Sequence, residues 1–168
     1  RKLRGLKSDG TTFALFLTLS EAKIGDDIYY TGILRDMSAE EEERERMSSM
    51  INSCIDPIIQ IDCKGIIQAV NPACCRIFIY NESELVGNNV AMLMPDPHAT
   101  NHDSYIHNYL STGIRKVSGI GKKLRARRSD GTTFPMLLSL SEAKIGGKTY
   151  FTGITRDLSA EEEERERM

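Results

Sequence analysis

The chain contains an internal repeat. Residues 4–47 align without gaps onto residues 125–168, and 31 of the 44 positions are identical. Both copies contain the turn sequence SDGTTF, the sequence LSEAKIG and the charged run SAEEEERERM. Such repetition predicts that both segments fold into the same unit of supersecondary structure. Residues 48–124 occur only once, so we expect the end of one unit followed by one complete unit.

The overall composition excludes several classes of protein. The chain has 168 residues, with 22 basic and 24 acidic side chains and a formal net charge of −2. This balance does not attract nucleic acid or anionic membranes. No apolar run approaches the roughly 20 residues that span a bilayer, and residues 1–20 lack a signal-peptide pattern. We expect a cytoplasmic segment of a longer protein, with no membrane segment and no nucleic-acid partner.

The four cysteines are Cys54, Cys63, Cys74 and Cys75, and they form no Cys-x-x-Cys pair. Two adjacent cysteines are not easily bridged to each other, and the remaining spacings match no disulfide framework. We therefore expect reduced and mostly buried thiols, as in intracellular proteins. A redox role is the alternative.

The segment that occurs once begins with a predicted hairpin. Residues 57–70 contain two β-rich runs separated by Lys64-Gly65. Asn71-Pro72 predicts a helix start, because Asn caps exposed N–H groups and Pro suits the first turn. Residues 81–85 start another short helix in the same way.

A longer helix is predicted over about 99–111, between a proline-containing break at 94–97 and Gly113. Its apolar side chains recur at helical spacing. Residues three, four and seven positions apart lie on one helical face. His102 therefore shares a face with Tyr105, Ile106 and Tyr109.

The complete unit ends with three predicted strands, over 117–128, 132–144 and 149–156. Asp130-Gly131 is a hairpin-turn signal between the first two strands. The second strand places alternate apolar side chains on one face: Phe134, Met136, Leu138 and Leu140. A charged helix follows, with Ser159 and Glu162 at capping-box spacing. This order predicts an α+β fold, a five-stranded antiparallel sheet with helices on one face.

The repeat also predicts the domain organisation. Residues 1–37 are interpreted as the C-terminal fragment of a preceding unit, with two strands and their turn that cannot bury a core alone. Residues 38–53 are a linker helix, and residues 54–158 are the complete domain. Residues 159–168 begin an exit helix.

His102 is the candidate metal ligand. A histidine on a helix that faces a glycine-containing strand, here residues 119–121, can hold a haem iron. The alternative is a half-buried histidine satisfied by the backbone. His98 and His102 are four residues apart, but without a third ligand signature they are weak evidence for zinc. The basic run 122–128 lacks interleaved aromatic rings, which favours a solvated sheet edge over a nucleic-acid surface.

Several stretches resemble the PAS domain family, and within it the haem-binding PAS domains of FixL oxygen sensors. The matching stretches are ELVGNNV at 84–90, MLMP at 92–95, HDSYI at 102–106, GIG at 119–121, RSDGTTFPM at 128–136 and YFTG at 150–153. The resemblance covers about 55–160. The run at 128–136 is common among PAS domains, whereas HDSYI together with GIG is more specific.

The resemblance implies a haem b cofactor and a function. His102 matches the proximal iron ligand. Val117, Leu138 and Leu140 match apolar residues over the face where a diatomic gas binds. Lys122 stands where the family has an arginine that moves between a haem propionate and bound oxygen. Tyr105 and Ile120 complete the expected cofactor pocket.

The function expected from this resemblance is a sensory module for O2, NO or CO. It is not an enzyme, and the effector that it regulates lies outside the chain. The flanking helices imply a homodimer or contacts with neighbouring PAS repeats. The alternatives are a haem-free PAS module for protein contacts, or a pocket for another small ligand. A flavin photosensor is not favoured, because residues 89–93 lack the reactive-cysteine sequence of those relatives and Cys74 and Cys75 fit helix packing.

Overall fold

A computed structural model describes residues 1–113 and 121–168. It divides into two compact units, residues 1–50 and 51–168, and each is described by itself. In the described residues, no helix has the length and apolar character needed to cross a membrane.

The first unit is an antiparallel sheet of three strands in the order β1-β2-β3. The strands are β1 (Lys2–Leu6), β2 (Thr12–Ile24) and β3 (Asp27–Asp36), and helix α1 follows at Ser38–Ser53. The prediction of two strands was therefore wrong. The missed strand, β1, is short and rich in basic side chains, yet it pairs with β2 from Lys2 opposite Phe16 to Leu6 opposite Thr12.

The second unit contains a five-stranded antiparallel sheet in the order β5-β4-β8-β7-β6, which confirms the predicted α+β class. Its strands are β4 (Ile58–Asp62), β5 (Ile67–Val70), β6 (Lys122–Arg127), β7 (Thr133–Ile145) and β8 (Lys148–Asp157). Its helices are α2 (Pro72–Phe78), α3 (Glu82–Leu85), α4 (His98–Thr112) and α5 (Ser159–Arg167), with a 3-10 turn at Val90–Leu93. The core lies between one face of the sheet and the segments from α2 to α4.

Asn71 joins the hairpin to the first helix of this core. Its Oδ1 accepts hydrogen bonds from the Cys74 amide at 3.2 Å and the Ile58 amide at 2.9 Å, and its Nδ2 donates to the Asp56 carbonyl at 3.0 Å. The predicted cap is confirmed. Because the side chain is buried, these bonds offset the cost of removing a polar amide from water.

Two local predictions were wrong. Ser159 does not form a capping box with Glu162, because its amide and hydroxyl both donate to Asp157 Oδ1, at 2.8 Å and 2.5 Å. The thiols are not mostly buried, since Cys54 and Cys63 are exposed. Cys74 is buried in the core, and burial raises the pKa of its thiol to about 12.

Candidate functional site

A cavity of about 310 Å³ lies inside the second unit. This volume falls in the range of small-molecule sites, roughly 300–1,000 Å³. The sheet forms one wall and α4 with the 3-10 turn forms another, and most of the lining is apolar. Its main apolar contributors are Ile61, Ile106, Met136, Leu138, Leu140 and Phe151.

The turn of the β4–β5 hairpin positions α4. Asn89 Nδ2 donates to Asp103 Oδ1 at 3.0 Å, which ties the helix to the segment before the 3-10 turn. Gly65 has a φ of +80°, and a Cβ at this position would lie 3.2 Å from Asp103 Oδ1 and 3.3 Å from Ile106 Cδ1. Glycine is therefore required by both the backbone conformation and the close approach of the helix. This contact fixes which face of α4 lines the cavity.

The predicted helical face of α4 is the one that lines the cavity, with His102, Tyr105, Ile106 and Tyr109. His102 Nδ1 is the buried side-chain nitrogen that lacks a hydrogen-bond partner within the described ranges. Burial lowers the pKa of His102, and the charge of Asp103 partly opposes this shift. The imidazole is therefore held in the neutral form, which is the form that binds a metal ion.

A polar pair completes the α4 side of the cavity. Tyr109 donates its hydroxyl proton to the Glu142 carboxylate on β7 and packs edge-on against Phe151, with ring centroids 5.6 Å apart. The sequence analysis did not select Glu142. Strand alternation contained the signal, because position 142 continues the inward series of Leu138 and Leu140. His98, which also lines the cavity, lies 6.2 Å from Tyr105 between ring centroids.

Lys122 lines the cavity at the beginning of β6, where it pairs in register with Leu138. Both Lys122 and Lys123 are exposed, and Lys122 is the one of the two that lines the cavity. Thus His102, Tyr105, Lys122, Leu138 and Leu140 all line one cavity. The predictions for Val117 and Ile120, like that for Gly119, fall outside the described residues.

A metal ion held by several protein side chains has little support in this cavity. Within residues 1–113 and 121–168, no group of three His, Cys, Asp or Glu side chains is arranged to hold a metal ion. The pair His98 and His102 therefore lacks a third protein ligand for zinc in that part of the chain.

The second unit is thus an α+β domain in which short helices and an antiparallel sheet surround an apolar cavity. A family model described as "PAS domain" matches residues 55–160. The chain belongs to the PAS domain family.

Sequence relatives include sensor proteins. The chain is 34% identical to "Sensor protein FixL" of Bradyrhizobium diazoefficiens over 99% of its own length and 34% of that protein. It is 31% identical to "Oxygen sensor protein DosP" of Escherichia coli over 57% of its own length and 12% of that protein. The chain therefore spans about a third or less of these relatives.

The fold is also found in solved structures. The PAS domain of an HTR-like protein from Haloarcula marismortui superposes with a TM-score of 0.58 and 23% identity. The match covers 71% of this chain and 94% of that domain. At this level of identity the likeness concerns the fold alone.

Proposed function

We propose that residues 54–158 bind haem b through His102 and sense a diatomic gas. The observation that supports this most is the buried, unpartnered nitrogen of an imidazole on the wall of an apolar cavity. Either nitrogen of a neutral imidazole can bind a metal ion, and an unsatisfied buried polar atom costs about 1–3 kcal/mol. Coordination of iron through Nδ1 would remove that cost.

Each wall of the cavity has a role in this proposal. His102 holds the iron, and Asn89 and Gly65 keep the His102 face of α4 in place through Asp103 and Ile106. Leu138, Leu140 and Met136 exclude water from the sheet side. If bound, haem would supply an iron that binds a diatomic gas such as O2, NO or CO.

Lys122 has a different role at the end of β6. Its ammonium group is a flexible point charge that can donate to a carboxylate, but it lacks the planar fork of arginine. We assign it to a haem propionate, with the gas contact as its second possible partner. Lys122→Arg and Lys122→Ala therefore change gas affinity in different directions, whereas neither removes haem.

The two sensor relatives support a signalling role, and one of them is named an oxygen sensor. We propose that this chain is the non-catalytic input segment of a longer cytoplasmic protein, with its effector outside residues 1–168. In this view residues 1–37 end a preceding PAS repeat. The helices at 38–53 and 159–168 connect units and take part in dimer or repeat contacts.

The test is a visible absorption spectrum of the full chain after reconstitution with haemin. We expect a Soret band displaced from that of free haemin, and its loss in His102→Ala. His107→Ala is the matched control, because this exposed histidine lies on the same helix. Added imidazole should restore the band in His102→Ala, which separates a missing ligand from a misfolded domain. A band that survives His102→Ala, or disappears in His98→Ala alone, would contradict the proposed ligand.

A second candidate is a haem-free pocket for a small ligand with hydrogen-bonding groups. The Tyr109–Glu142 pair favours it, because a carboxylate on the wall of a mainly apolar cavity suits a ligand with hydrogen-bonding groups. Mass spectrometry of ligands released from the purified chain distinguishes the candidates. A small molecule other than haem, whose retention falls in Glu142→Ala and not in His102→Ala, would favour this candidate.

A further inference from the structure

The turn that follows α2 contains a strained residue. Ile79 has a φ of 61° and a ψ of 49°, which is the left-handed helical region. Within residues 1–113 and 121–168 it is the one non-glycine residue with a positive φ. A β-branched side chain is rarely found in this region, and the surrounding structure must supply the free energy that holds it there. The side chain is 52% exposed, so its own burial is not what holds the backbone in this conformation.

The turn between β6 and β7 holds three consecutive carbonyl groups at the end of α2. Arg128 Nε donates to the Ile77 carbonyl at 3.1 Å, and the Ser129 amide donates to the Phe78 carbonyl at 3.0 Å. The Ser129 hydroxyl donates to the Ile79 carbonyl. Residues 77–79 with these three bonds form the Ile79 corner. A rotation of Ile79 to negative φ would move its carbonyl away from Ser129, so the strain and these bonds oppose each other.

One side of the Ile79 corner lies on the cavity. Phe78 lines the cavity, is 1% exposed and packs edge-on against Phe134, with ring centroids 5.5 Å apart. The Arg128 guanidinium lies over the same Phe134 ring, 4.1 Å from its centroid. Because packed interiors transmit displacements, a shift of Phe78 reaches Arg128 through the Phe134 ring and through the Ile77 carbonyl.

The other side of the corner lies at the beginning of α5. Arg128 Nη2 pairs with Asp157 Oδ2 at 3.1 Å, and Asp157 Oδ1 accepts from the Ser159 amide at 2.8 Å. The side chains of Arg128 and Asp157 are 22% and 26% exposed, so water screens this pair less than a surface pair. The buried Leu158 holds the same segment, because its amide donates to the Pro135 carbonyl at 2.9 Å. One guanidinium thus joins the end of α2 to the beginning of α5.

We propose that the Ile79 corner is a two-position latch that couples the Phe78 wall of the cavity to the beginning of α5. In the closed position, the three carbonyl bonds and the Arg128–Asp157 pair hold Ile79 in its strained conformation. In the open position, Ile79 relaxes to negative φ, and Arg128 no longer holds Asp157 in place for α5. A ligand that favours one position of Phe78 shifts this equilibrium, and the state of α5 acts back on the cavity by linkage. The latch does not depend on which ligand occupies the cavity.

Cys74 reports on the closed position. It lies in α2, it is buried, and burial raises the pKa of its thiol to about 12. Since the thiolate is the reactive form, Cys74 should react with iodoacetamide only when α2 opens. The experiment measures its alkylation by mass spectrometry in the full chain carrying Cys54→Ser, Cys63→Ser and Cys75→Ser. Hydrogen exchange of the Ser159 amide, followed by NMR in the same protein, reports on the beginning of α5.

A comparison of Ile79→Gly with Ile79→Ala separates the strain from the loss of the side chain. Both variants remove the isoleucine side chain, but only alanine keeps a Cβ that is unfavourable at positive φ. We expect Cys74 alkylation and Ser159 exchange both to be about tenfold slower in Ile79→Gly than in Ile79→Ala. Equal alkylation rates would show that no strain is stored, and slower alkylation with unchanged Ser159 exchange would show that the two ends are not coupled. Either result overturns the proposal.

Asp157→Asn tests the coupling from the other end. Asparagine keeps an oxygen that accepts from Ser159 but loses the charge that pairs with Arg128. We expect Cys74 alkylation to become about fivefold faster, because the closed position loses a charge-assisted bond. An unchanged alkylation rate in this variant would contradict the latch.

Asp56→Asn is the matched control, because it removes a more exposed ion pair, that of Asp56 with Arg156 at 3.6 Å. It should leave the alkylation rate of Cys74 unchanged, and an equal acceleration in both variants would overturn the proposal. The urea dependence of alkylation gives a last check. If alkylation rises with urea as steeply as global unfolding, Cys74 reacts only from the unfolded chain, and there is no local latch.

Discussion

The β1–β3 sheet and the β6–β8 part of the larger sheet have nearly the same sequence, but only the second is covered. The register of the strands repeats: Lys2 lies opposite Phe16 as Lys123 lies opposite Leu137, and Tyr30 opposite Glu21 as Phe151 opposite Glu142. The turns repeat as well. Asp9 accepts hydrogen bonds from the amide and the hydroxyl of Thr11, at 2.9 and 2.6 Å, and Asp130 accepts the same two bonds from Thr132 at the same distances.

What differs is the environment of the inward side chains. In the second unit Phe134 packs edge-on against Phe78 of α2, whereas its equivalent Phe13 lies beside Lys7. The strands and turns are therefore determined locally, while the core and the cavity are determined by residues 54–112. Homologous sequence is sufficient for the sheet but not for the site.

One difference between the copies falls within the candidate site. Arg1 pairs through its backbone with Leu17, in the place that Lys122 takes opposite Leu138. The resemblance to FixL sensors implies arginine at this position. At this position the first copy has arginine and the second has lysine.

The largest contrast is expected between Phe134→Ala and Phe13→Ala. Phe134 is buried against two partners, so its truncation should cost about 3–5 kcal/mol of unfolding free energy. Phe13 is half-buried, so its truncation should cost about 1 kcal/mol of unfolding free energy. Urea unfolding, with hydrogen exchange to assign each sheet, measures both. Equal losses would mean that the first sheet is covered in solution.

A smaller contrast is expected between Gly153→Ala and Gly32→Ala. A methyl group at 153 would lie 3.3 Å from Cδ1 of the half-buried Leu138 on the cavity wall, and the shift that this forces should cost about 1–3 kcal/mol. At 32 the neighbouring Leu19 is exposed and can move, so alanine should be neutral or stabilise by up to about 1 kcal/mol. Thermal unfolding of the two variants gives the comparison. A loss of stability in Gly32→Ala as large as that in Gly153→Ala would contradict this expectation.

The next contrast concerns the cation beside each phenylalanine. The Arg128 guanidinium lies 4.1 Å from the Phe134 ring centroid, pairs with Asp157 at 3.1 Å and donates to the Ile77 carbonyl. Arg128→Lys should therefore cost about 1–2 kcal/mol. Lys7→Arg, at the equivalent position, should change stability by less than about 0.5 kcal/mol. Chemical denaturation of both variants tests this, and equal effects would argue against the covered geometry of the second unit.

The smallest difference is expected at the turns. Hydrogen bonds from Thr11 and Thr132 lower the pKa of Asp9 and of Asp130 below the usual 3.8. Each carboxylate therefore supports its turn above that value, and the support is lost as pH falls through the lowered pKa. Carboxyl NMR titration should show both groups displaced in the same direction. A lowered pKa for Asp130 but not for Asp9 would mean that the turn at Asp9 forms only when other residues cover its sheet.

The sequence was sufficient to predict features that depend on residues close together in the chain. Helical spacing placed His102 with Tyr105 and Tyr109 on one face, and Asn71-Pro72 identified a real helix start. The capping prediction for Ser159 failed because Asp157, two residues earlier, competes for the same donors.

Burial could not be predicted in the same way. Leu19 and Leu140 both begin the shared sequence LSEAKIG, yet Leu19 is exposed whereas Leu140 lines the cavity of the second unit. Glu142 was missed because a charged residue is ordinarily placed on the solvent face. Its partner Tyr109 is 33 positions away in the chain.

Haemin titration of the full chain, followed by visible absorbance, tests the central claim most directly. Because only one of the two homologous sheets is covered by a histidine-bearing helix, the account predicts saturation at one haem per chain and no saturable binding in His102→Ala. Saturation at two haems per chain, or unchanged binding in His102→Ala, would contradict it.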